Sequence, residues 1–305
     1  MDSATNDVLA RFVADSDFHR HGGVVTDLDG TAVIEREGRI YVPQPVEFGL
    51  KRLKDVGRPI ILNTLRFPLS VLRTFGEEWL KLTGTRIPTI TLNGSLLGYV
   101  EAVDGALSFF EIDAFPLAAS EIDEMLKGVD GLLSAGVLDL LVFHYPRDWR
   151  EGELVWTPDA SRVEHVAHKY RSAAQVHADG FQALRARLHE REVCMVFLLI
   201  ELPHDKLMAY QHTKRSNFFT RKGVDKAHGA RAMARKLSIR LADSVGAGDA
   251  ELDNFLNDVG LALHVGSNDL SFKGQRETLK LADPMALGEA LFRLADLKAE
   301  TAPIV

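Results

Sequence analysis

The sequence predicts an α/β fold built on a parallel sheet, and two observations indicate it. First, short apolar runs alternate with segments of helical periodicity, an order that forms right-handed crossovers between parallel strands. The runs are 24–33, 59–64 and 88–92, and the helical segments are 45–55 and 68–83. Second, the sequence pattern changes after Leu96, where segments typical of hairpins occur together with segments of helical periodicity. That change predicts an α+β insertion within the parallel-sheet domain.

Composition narrows the class of protein. The 305 residues carry a formal net charge of -7, which disfavours nucleic acid or an anionic membrane as the partner. No apolar window reaches the ~18 residues of a membrane span. Residues 1–20 lack the features of a signal peptide, and the single cysteine, Cys194, excludes an internal disulfide. We therefore expect a cytoplasmic globular protein, with Cys194 as a buried, inert thiol; the sequence assigns no oligomeric state.

Two carboxylates follow the first apolar run, in the segment Asp27-Leu28-Asp29-Gly30-Thr31. Ligand sites of open α/β sheets lie at the carboxyl ends of strands. Two acids this close repel each other unless a cation lies between them or one of them holds a proton. The pattern suits a hard metal with one nucleophilic and one acid/base carboxylate. The alternative is a strand followed by an Asx turn with both acids solvated.

This segment resembles the first motif of the haloacid dehalogenase (HAD) superfamily, whose commonest members are Mg-dependent phosphatases. Thr64 stands where the family carries its second motif, and Arg66 matches an arginine found there, although Leu65 replaces the usual glycine. Asn93-Gly94 occupies the place of an Asn-Gly pair that precedes the cap in large-capped members. Arg66 could instead be a solvated residue at a helix start, and Asn93 could serve a turn alone.

Lys226 resembles the lysine of the third motif, which precedes a helix. We predict that a helix starts near Asp225 as its N-cap, carries Lys226 in its first turn and continues over 227–237. A cation beside a helix N-terminus is unfavourable unless an anion is near, and a phosphate or the Asp27–Asp29 pair would supply one. The alternative is one more lysine in a basic, solvated segment.

Asp249 and Asp253 resemble the acids of the fourth motif. They lie four residues apart, so a helix that starts at Asp249 would place both on one face. Asn254 would then point about 100° away. Leu252 departs from the pattern, because the residue before the second acid is commonly Asn.

The resemblance implies a Rossmann-like parallel-sheet HAD core with an inserted α+β cap domain of the C2 type. The predicted core comprises 1–96 and 209–305, and the predicted cap comprises 97–208. Within the cap, the sequence predicts a hairpin over 97–112, helices at 116–127 and 181–191, and strands at 137–145, 154–156, 193–201 and 206–212. The cap is expected to set specificity, and the candidates are His144, Arg147, Trp149, Trp156 and His177.

The function implied by the resemblance is Mg-dependent hydrolysis of a phosphomonoester, of a sugar phosphate or a similar small phosphorylated metabolite. Asp27 would attack phosphorus, and Asp29 would act as general acid and then general base. The substrate phosphate would be bound by Thr64, Lys226, Arg66 and Asn93. Mg2+ would be held by Asp27, the backbone carbonyl of Asp29 and Asp249, with Asp253 as a further acid. The alternatives are a phosphomutase of the same fold and a non-catalytic phospholigand-binding protein.

Overall fold

The largest sheet has eight strands and is mostly parallel. The computed structural model describes residues 2–36, 39–201 and 218–301. Six neighbouring strands of this sheet run parallel, and two antiparallel strands extend one edge. In spatial order they are β15 (Glu277–Leu281), β14 (Leu261–Val265), β13 (Val245–Gly248), β1 (Val24–Thr26), β4 (Ile60–Asn63), β5 (Ile87–Thr91), β6 (Leu96–Val103) and β7 (Ala106–Ala114). The predicted parallel sheet is therefore confirmed.

Helices cover both faces of this sheet. On one face pack α1 (Ser3–Asp15), α3 (Gln44–Asp55) and α10 (Pro284–Thr301), and on the other packs α9 (Lys226–Leu237). Val24 and Val25 of β1 are fully buried, and they belong to the cores on opposite faces. A parallel strand covered on both sides is a continuous apolar run, which explains why these strands were predictable.

Shorter elements precede β1 or connect the parallel strands. They are α2 (Phe18–His21), the antiparallel pair β2 (Ile34–Arg36) and β3 (Arg39–Tyr41), α4 (Pro68–Val71), a π-helix (Leu72–Gly76) and α5 (Glu77–Thr83). The β2–β3 pair follows the first motif. The single helix predicted over 68–83 is interrupted by the π-helix, a distortion that often accompanies functional sites.

A second sheet has five strands, with helices packed on both of its faces. Its spatial order is β10 (Ala173–His177), β9 (Glu153–Trp156), β8 (Leu140–Pro146), β11 (Val193–Ile200) and β12 (Phe218–Phe219). Helices α6 (Ala119–Ser134) and α8 (Phe181–His189) pack on the face that carries Val142 and Trp156. The opposite face carries Phe143, Tyr145 and Phe197, with α7 (Val163–Lys169) against part of it. Cys194 of β11 is fully buried, as expected, and burial raises the pKa of its thiol to about 12.

The hairpin predicted over 97–112 as the start of the cap is β6–β7, and it pairs with β5. It therefore extends the eight-stranded sheet and does not open the five-stranded one. Turn signals specify a hairpin but not the sheet that it joins. The boundaries 1–96, 97–208 and 209–305 stay a prediction, and the strand predicted at 206–212 lies outside the described residues. Within the described residues, no helix is long and apolar enough to cross a membrane.

We predict that Gly288→Ala destabilises the protein. A Cβ at this position would lie 2.2 Å from the backbone carbon of Pro45, where α3 and α10 approach closely. Overpacking against backbone typically costs about 1–3 kcal/mol of unfolding free energy. The matched control is Gly128→Ala in α6, where a Cβ meets no atom within 4 Å and helix propensity favours alanine. Urea unfolding should show a loss only for Gly288→Ala; equal midpoints would contradict the close packing.

Candidate active site

The carboxyl ends of the parallel strands meet at one edge of the large sheet, and most residues singled out in the sequence lie there. Asp27 directly follows β1, Thr64 follows β4, and Asp249 follows β13. Asn93 lies in the turn after β5. All except Asp249 are at least nine-tenths buried. Parallel pairing thus brings together segments that are more than 200 residues apart in the chain.

A buried lysine joins two of the carboxylates. The Nζ atom of Lys226 donates to Asp27 Oδ1 at 2.6 Å and to Asp253 Oδ1 at 2.7 Å. The Lys226 side chain is 3% exposed and that of Asp253 is fully buried. Burial alone would lower the pKa of Lys226, but Asp253 and Asp27 outweigh it and raise the pKa above its ordinary value. The lysine therefore stays charged.

Helix α9 begins at Lys226, and its start is fixed by neighbouring polar side chains. Asp225 is the N-cap, as predicted, and its carboxylate accepts from the His228 N–H at 2.8 Å. The backbone carbonyl of Lys226 accepts from the Asn63 amide at 3.0 Å. Helix α9 packs on one face of the large sheet, and these contacts fix its first residue, Lys226, so that the side chain reaches Asp27.

The loop after β13 differs from the sequence prediction. No helix starts at Asp249; a turn leads instead to a short 3₁₀ helix, Asn254–Asn257. Asp253 Oδ2 accepts the backbone N–H groups of Asp249 and Ala250 at 2.9 and 3.0 Å. The helical prediction was wrong because this carboxylate organises the turn by itself, a local bonding pattern that competes with helix formation.

Asp249 completes a cluster of acids. Oxygen atoms of Asp27, Asp249 and Asp253 lie within 4.8 Å of one another. The Thr31 hydroxyl donates to Asp249 Oδ1 at 3.0 Å. Gly30 adopts φ +81°, and a Cβ there would lie 2.4 Å from Asp249 Oδ2, so glycine keeps this space open.

The electrostatics of the cluster favour a cation. Burial, followed by the charge of Asp253, raises the pKa of Asp249 to about 6. Burial also raises the pKa of Asp27, and the neighbouring acids add to that effect while Lys226 opposes it. One ammonium group thus faces three carboxylates. Oxygen ligands around an open space fit a hard divalent cation such as Mg2+, but the metal roles of Asp27, Asp29, Asp249 and Asp253 remain predictions.

Asp29 is held by Arg66. The guanidinium donates from Nε to Asp29 Oδ2 and from Nη2 to Asp29 Oδ1, both at 2.7 Å. The Asp29 side chain is 51% exposed, unlike the buried Asp27. The sequence suggested Arg66 as a phosphate ligand or a solvated residue. The structure places its planar fork on the second carboxylate of the first motif.

Thr64 and Asn93 contact each other, and Thr64 also contacts the backbone of Arg66. The Thr64 hydroxyl accepts the Arg66 N–H at 3.1 Å, and the Thr64 carbonyl accepts the Asn93 N–H at 3.4 Å. Asn93 adopts φ +56°, and its buried Oδ1 has no hydrogen-bond partner among the described residues. A Cβ at Gly94 would lie 2.0 Å from the carbonyl oxygen of Asp225, so the Asn-Gly turn presses against the start of α9. Their binding of substrate phosphate stays a prediction.

Asn254 is a supporting residue that sequence reasoning missed. Its Oδ1 accepts the Ala227 N–H at 3.0 Å, and its Nδ2 donates to Asp225 Oδ2 at 2.6 Å. Asn254 therefore joins the fourth motif to the start of α9. A helix starting at Asp249 would have pointed Asn254 away from the site. In the sequence, its position next to Asp253 was what could have indicated a role.

The cap candidates make contacts that do not involve Asp27 or Asp29. His144 lies on the same face of β8 as Val142, which packs under the helices, and burial lowers its pKa to about 3. The Trp156 indole donates to the Asp179 carbonyl at 2.8 Å. Arg147 pairs with Glu111 and Glu192 beside a cavity of about 520 Å³, which Trp149 also lines.

Tyr145, Glu153 and Ser172 form a cluster at the five-stranded sheet, and sequence reasoning missed it. The cluster lies next to residues 66–69, called the Arg66 segment below. The Tyr145 ring packs against Phe67, with centroids 5.6 Å apart. The Tyr145 hydroxyl donates to Glu153 at 2.6 Å, and the Ser172 hydroxyl donates to the same carboxylate at 2.9 Å. Glu153 is 6% exposed, and burial raises its pKa. Alternation in β9 places Glu153 on the face opposite Trp156.

No protein-family profile and no curated protein matches the sequence, but solved structures share the fold. A phosphatase of the HAD superfamily from Bacteroides thetaiotaomicron is 18% identical, with a TM-score of 0.61 over 91% of this chain and 96% of that one. A HAD subclass IIB sugar phosphatase is 17% identical, with a TM-score of 0.60 over 88% and 96%. A protein described as a HAD/COF-like hydrolase from Plasmodium vivax is 16% identical, with a TM-score of 0.65 over 96% and 100%. The chain therefore has the fold of HAD phosphatases, as its motifs indicated.

We expect Lys226→Met to be severely destabilising, because it leaves Asp27 and Asp253 buried without their cation. Removing one partner of a buried ion pair costs about 3–5 kcal/mol of unfolding free energy. The control is Lys51→Met, which breaks an exposed pair with Asp55 and should cost less than about 1 kcal/mol. Urea unfolding at pH 7.5 measures both losses. Similar values would show that the buried pair contributes no more than the exposed one.

The raised pKa of Asp249 predicts a pH-dependent effect of Asp249→Asn on the metal-free protein. Its folded-state pKa of about 6 lies above the ordinary 3.8, so wild type loses stability as pH rises from about 4 to 6. Asparagine removes that penalty and keeps an acceptor for Thr31. With EDTA, the variant should gain about 2–3 kcal/mol at pH 7.5 and less than about 1 kcal/mol at pH 4. A gain independent of pH would refute the assignment.

Proposed function

We propose that this protein is a metal-dependent phosphomonoester hydrolase that acts through an aspartyl-phosphate on a small phosphorylated metabolite. The observation that carries the proposal is the Lys226 bridge between Asp27 and Asp253, with Asp249 within 4.8 Å. A buried carboxylate at a strand end, flanked by a fixed ammonium group and a second acid, suits nucleophilic attack on a phosphate ester. The HAD fold and its phosphatase neighbours support the same reaction.

Asp27 is the proposed nucleophile. Its Oδ1 accepts from Lys226, and the Thr31 hydroxyl lies 3.5 Å from its Oδ2. Attack on phosphorus would form the Asp27–phosphorus bond and break the bond to the leaving oxygen. The ammonium group of Lys226 would offset the charge on the phosphoryl oxygens, so catalysis would rest on positioning and neutralisation.

Asp29 is the proposed acid and base. It would donate a proton to the leaving oxygen in the first step. In the second step it would take a proton from water, which attacks the aspartyl-phosphate and releases phosphate and free Asp27. Its half-exposed position suits exchange with solvent and contact with the leaving group.

The proposed metal ligands are the carboxylates of Asp27 and Asp249 and the backbone carbonyl of Asp29, with Asp253 nearby. A bound Mg2+ would supply neutralisation of the carboxylates and of the phosphoryl oxygens. Asp253 already accepts three hydrogen bonds. We therefore infer that it acts mainly by holding Lys226 and the loop of Asp249.

A sugar phosphate is the substrate that we propose, because the sugar phosphatase neighbour shares the fold over 88% of this chain. The five-stranded sheet meets the Arg66 segment where the Tyr145 ring packs against Phe67. Tyr145 and Glu153 are buried and bonded to each other, so they support this meeting and do not themselves contact the sugar. We propose that strands β8–β11 with their helices, within 97–208, form the cap that faces the leaving group.

The decisive experiment is phosphate release from sugar phosphates and an aryl phosphate, with Mg2+ or EDTA. We expect release only with Mg2+, and a loss of roughly 10³-fold or more in Asp27→Asn. The control is Asp55→Asn, which removes an exposed carboxylate of α3. No release by the folded, Mg-loaded protein would indicate phospholigand binding without catalysis. Phosphate transfer within a sugar bisphosphate, without net release, would instead indicate a mutase.

A further inference from the structure

The pair formed by Arg66 and Asp29 has the geometry of a positioning contact. Two guanidinium nitrogens, Nε and Nη2, meet the two carboxylate oxygens at 2.7 Å each. This planar, bidentate arrangement fixes both the distance and the rotation of a carboxylate, which a single hydrogen bond does not. Asp29 precedes Gly30, at φ +81°, and its side chain is half exposed. A carboxylate in such a place would otherwise rotate freely in solvent.

Arg66 is itself held on several sides. Its Nη1 donates to the Ser70 hydroxyl at 3.0 Å, and its guanidinium lies 5.1 Å from the ring centre of Phe75. Phe75 belongs to the π-helix Leu72–Gly76, so this distortion places an aromatic ring beside the guanidinium. The backbone N–H of Arg66 donates to Thr64, and its carbonyl accepts from Leu92. The guanidinium is thus preorganised before any substrate binds.

The residue after Arg66 is held by the second sheet. Phe67 is 7% exposed and packs against Tyr145, whose hydroxyl is anchored on the buried Glu153. Leu69 also lies near Gly152, which precedes β9: a Cβ added at Gly152 would lie 3.4 Å from Leu69 Cδ1. The Arg66 segment is therefore clamped between the edge of the large sheet and the five-stranded sheet.

We propose that Arg66 is a positioning residue for Asp29 and not primarily a ligand of the substrate phosphate. It would fix the orientation of the Asp29 carboxylate for proton transfer to the leaving oxygen. This inference rests on the proposed function, in which Asp29 is the acid. Three of the five guanidinium N–H groups are already committed to Asp29 and Ser70. Arg66 should therefore contribute to the step that needs a proton and little to phosphate affinity.

The test compares two leaving groups in Arg66→Met. An alkyl or sugar phosphate needs protonation of its leaving oxygen, whereas p-nitrophenolate departs without a proton. We expect kcat/KM, which reports the steps up to departure of the leaving group, to fall at least tenfold more for the sugar phosphate than for p-nitrophenyl phosphate. Hydrolysis of the aspartyl-phosphate, which also uses Asp29, is common to both esters and does not enter this comparison. Arg66→Lys should recover part of the loss, since a lysine keeps the charge without the fork. Arg52→Met, which breaks a pair with Asp296 on α3 and α10, should leave both rates unchanged.

Equal losses of kcat/KM on both esters through a higher KM would overturn the proposal in favour of phosphate binding. A double variant adds a second criterion with the aryl ester. If Arg66 acts through Asp29, adding Arg66→Met to Asp29→Asn should lower the rate no further. Multiplying losses would overturn the proposal, because they would show a role independent of Asp29.

The contact between Arg66 and Asp29 can also be tested by protein stability, without any measurement of catalysis. Urea unfolding of wild type, Arg66→Met, Asp29→Asn and the double variant gives the coupling between the two side chains. Non-additive changes support the pairing, and strictly additive changes overturn it. A wild type without phosphatase activity would refute the proposed function, while the unfolding cycle would still decide whether Arg66 holds Asp29.

Discussion

The buried contact of Lys226 with Asp27 and Asp253 is the interaction on which the site depends. A lysine that is 3% exposed keeps its charge only with anionic partners, and a buried carboxylate needs a cation or a proton. Three segments must therefore meet to within hydrogen-bond distance: the end of β1, the start of α9 and the loop after β13. The parallel order β13-β1-β4 provides that meeting, because it sets these strand ends side by side.

Close approach of backbone is the second constraint, and glycine satisfies it. A Cβ on Gly248 would lie 2.6 Å from the carboxyl carbon of Asp253, and one on Gly30 would lie 2.4 Å from Asp249. At Gly94 it would lie 2.0 Å from the backbone of Asp225. Each glycine therefore lets a site carboxylate or the start of α9 come close enough to bond. The polar contacts of the site therefore require glycine at these three positions.

Sequence patterns predicted the helices and strands whose apolar residues follow a regular period. The buried strands, the α9 cap on Asp225 and the order of the motifs follow from apolar runs and capping chemistry. Irregular backbone was not predictable in the same way. The turn from Asp249 to Asp253 is closed by a side chain that replaces helical bonding, and the partner of Arg66 depends on a carboxylate 37 residues away. The edge position of β6–β7 likewise depends on pairing with β5, a non-local choice.

The irregular turn also explains how the chain accommodates Leu252. The resemblance to the HAD motif, in which Asn is common at this position, implies that an apolar residue here would loosen hydrogen bonding at the site. In the structure Leu252 is 6% exposed, so it contributes packing. The polar contact comes from Asn254, which bonds to both Asp225 and Ala227. Since Asn254 fixes the start of α9, and α9 carries Lys226, the change at 252 leaves the buried ion pair supported. A motif that departs from its usual pattern can thus keep the geometry when the backbone turn redirects a neighbouring side chain.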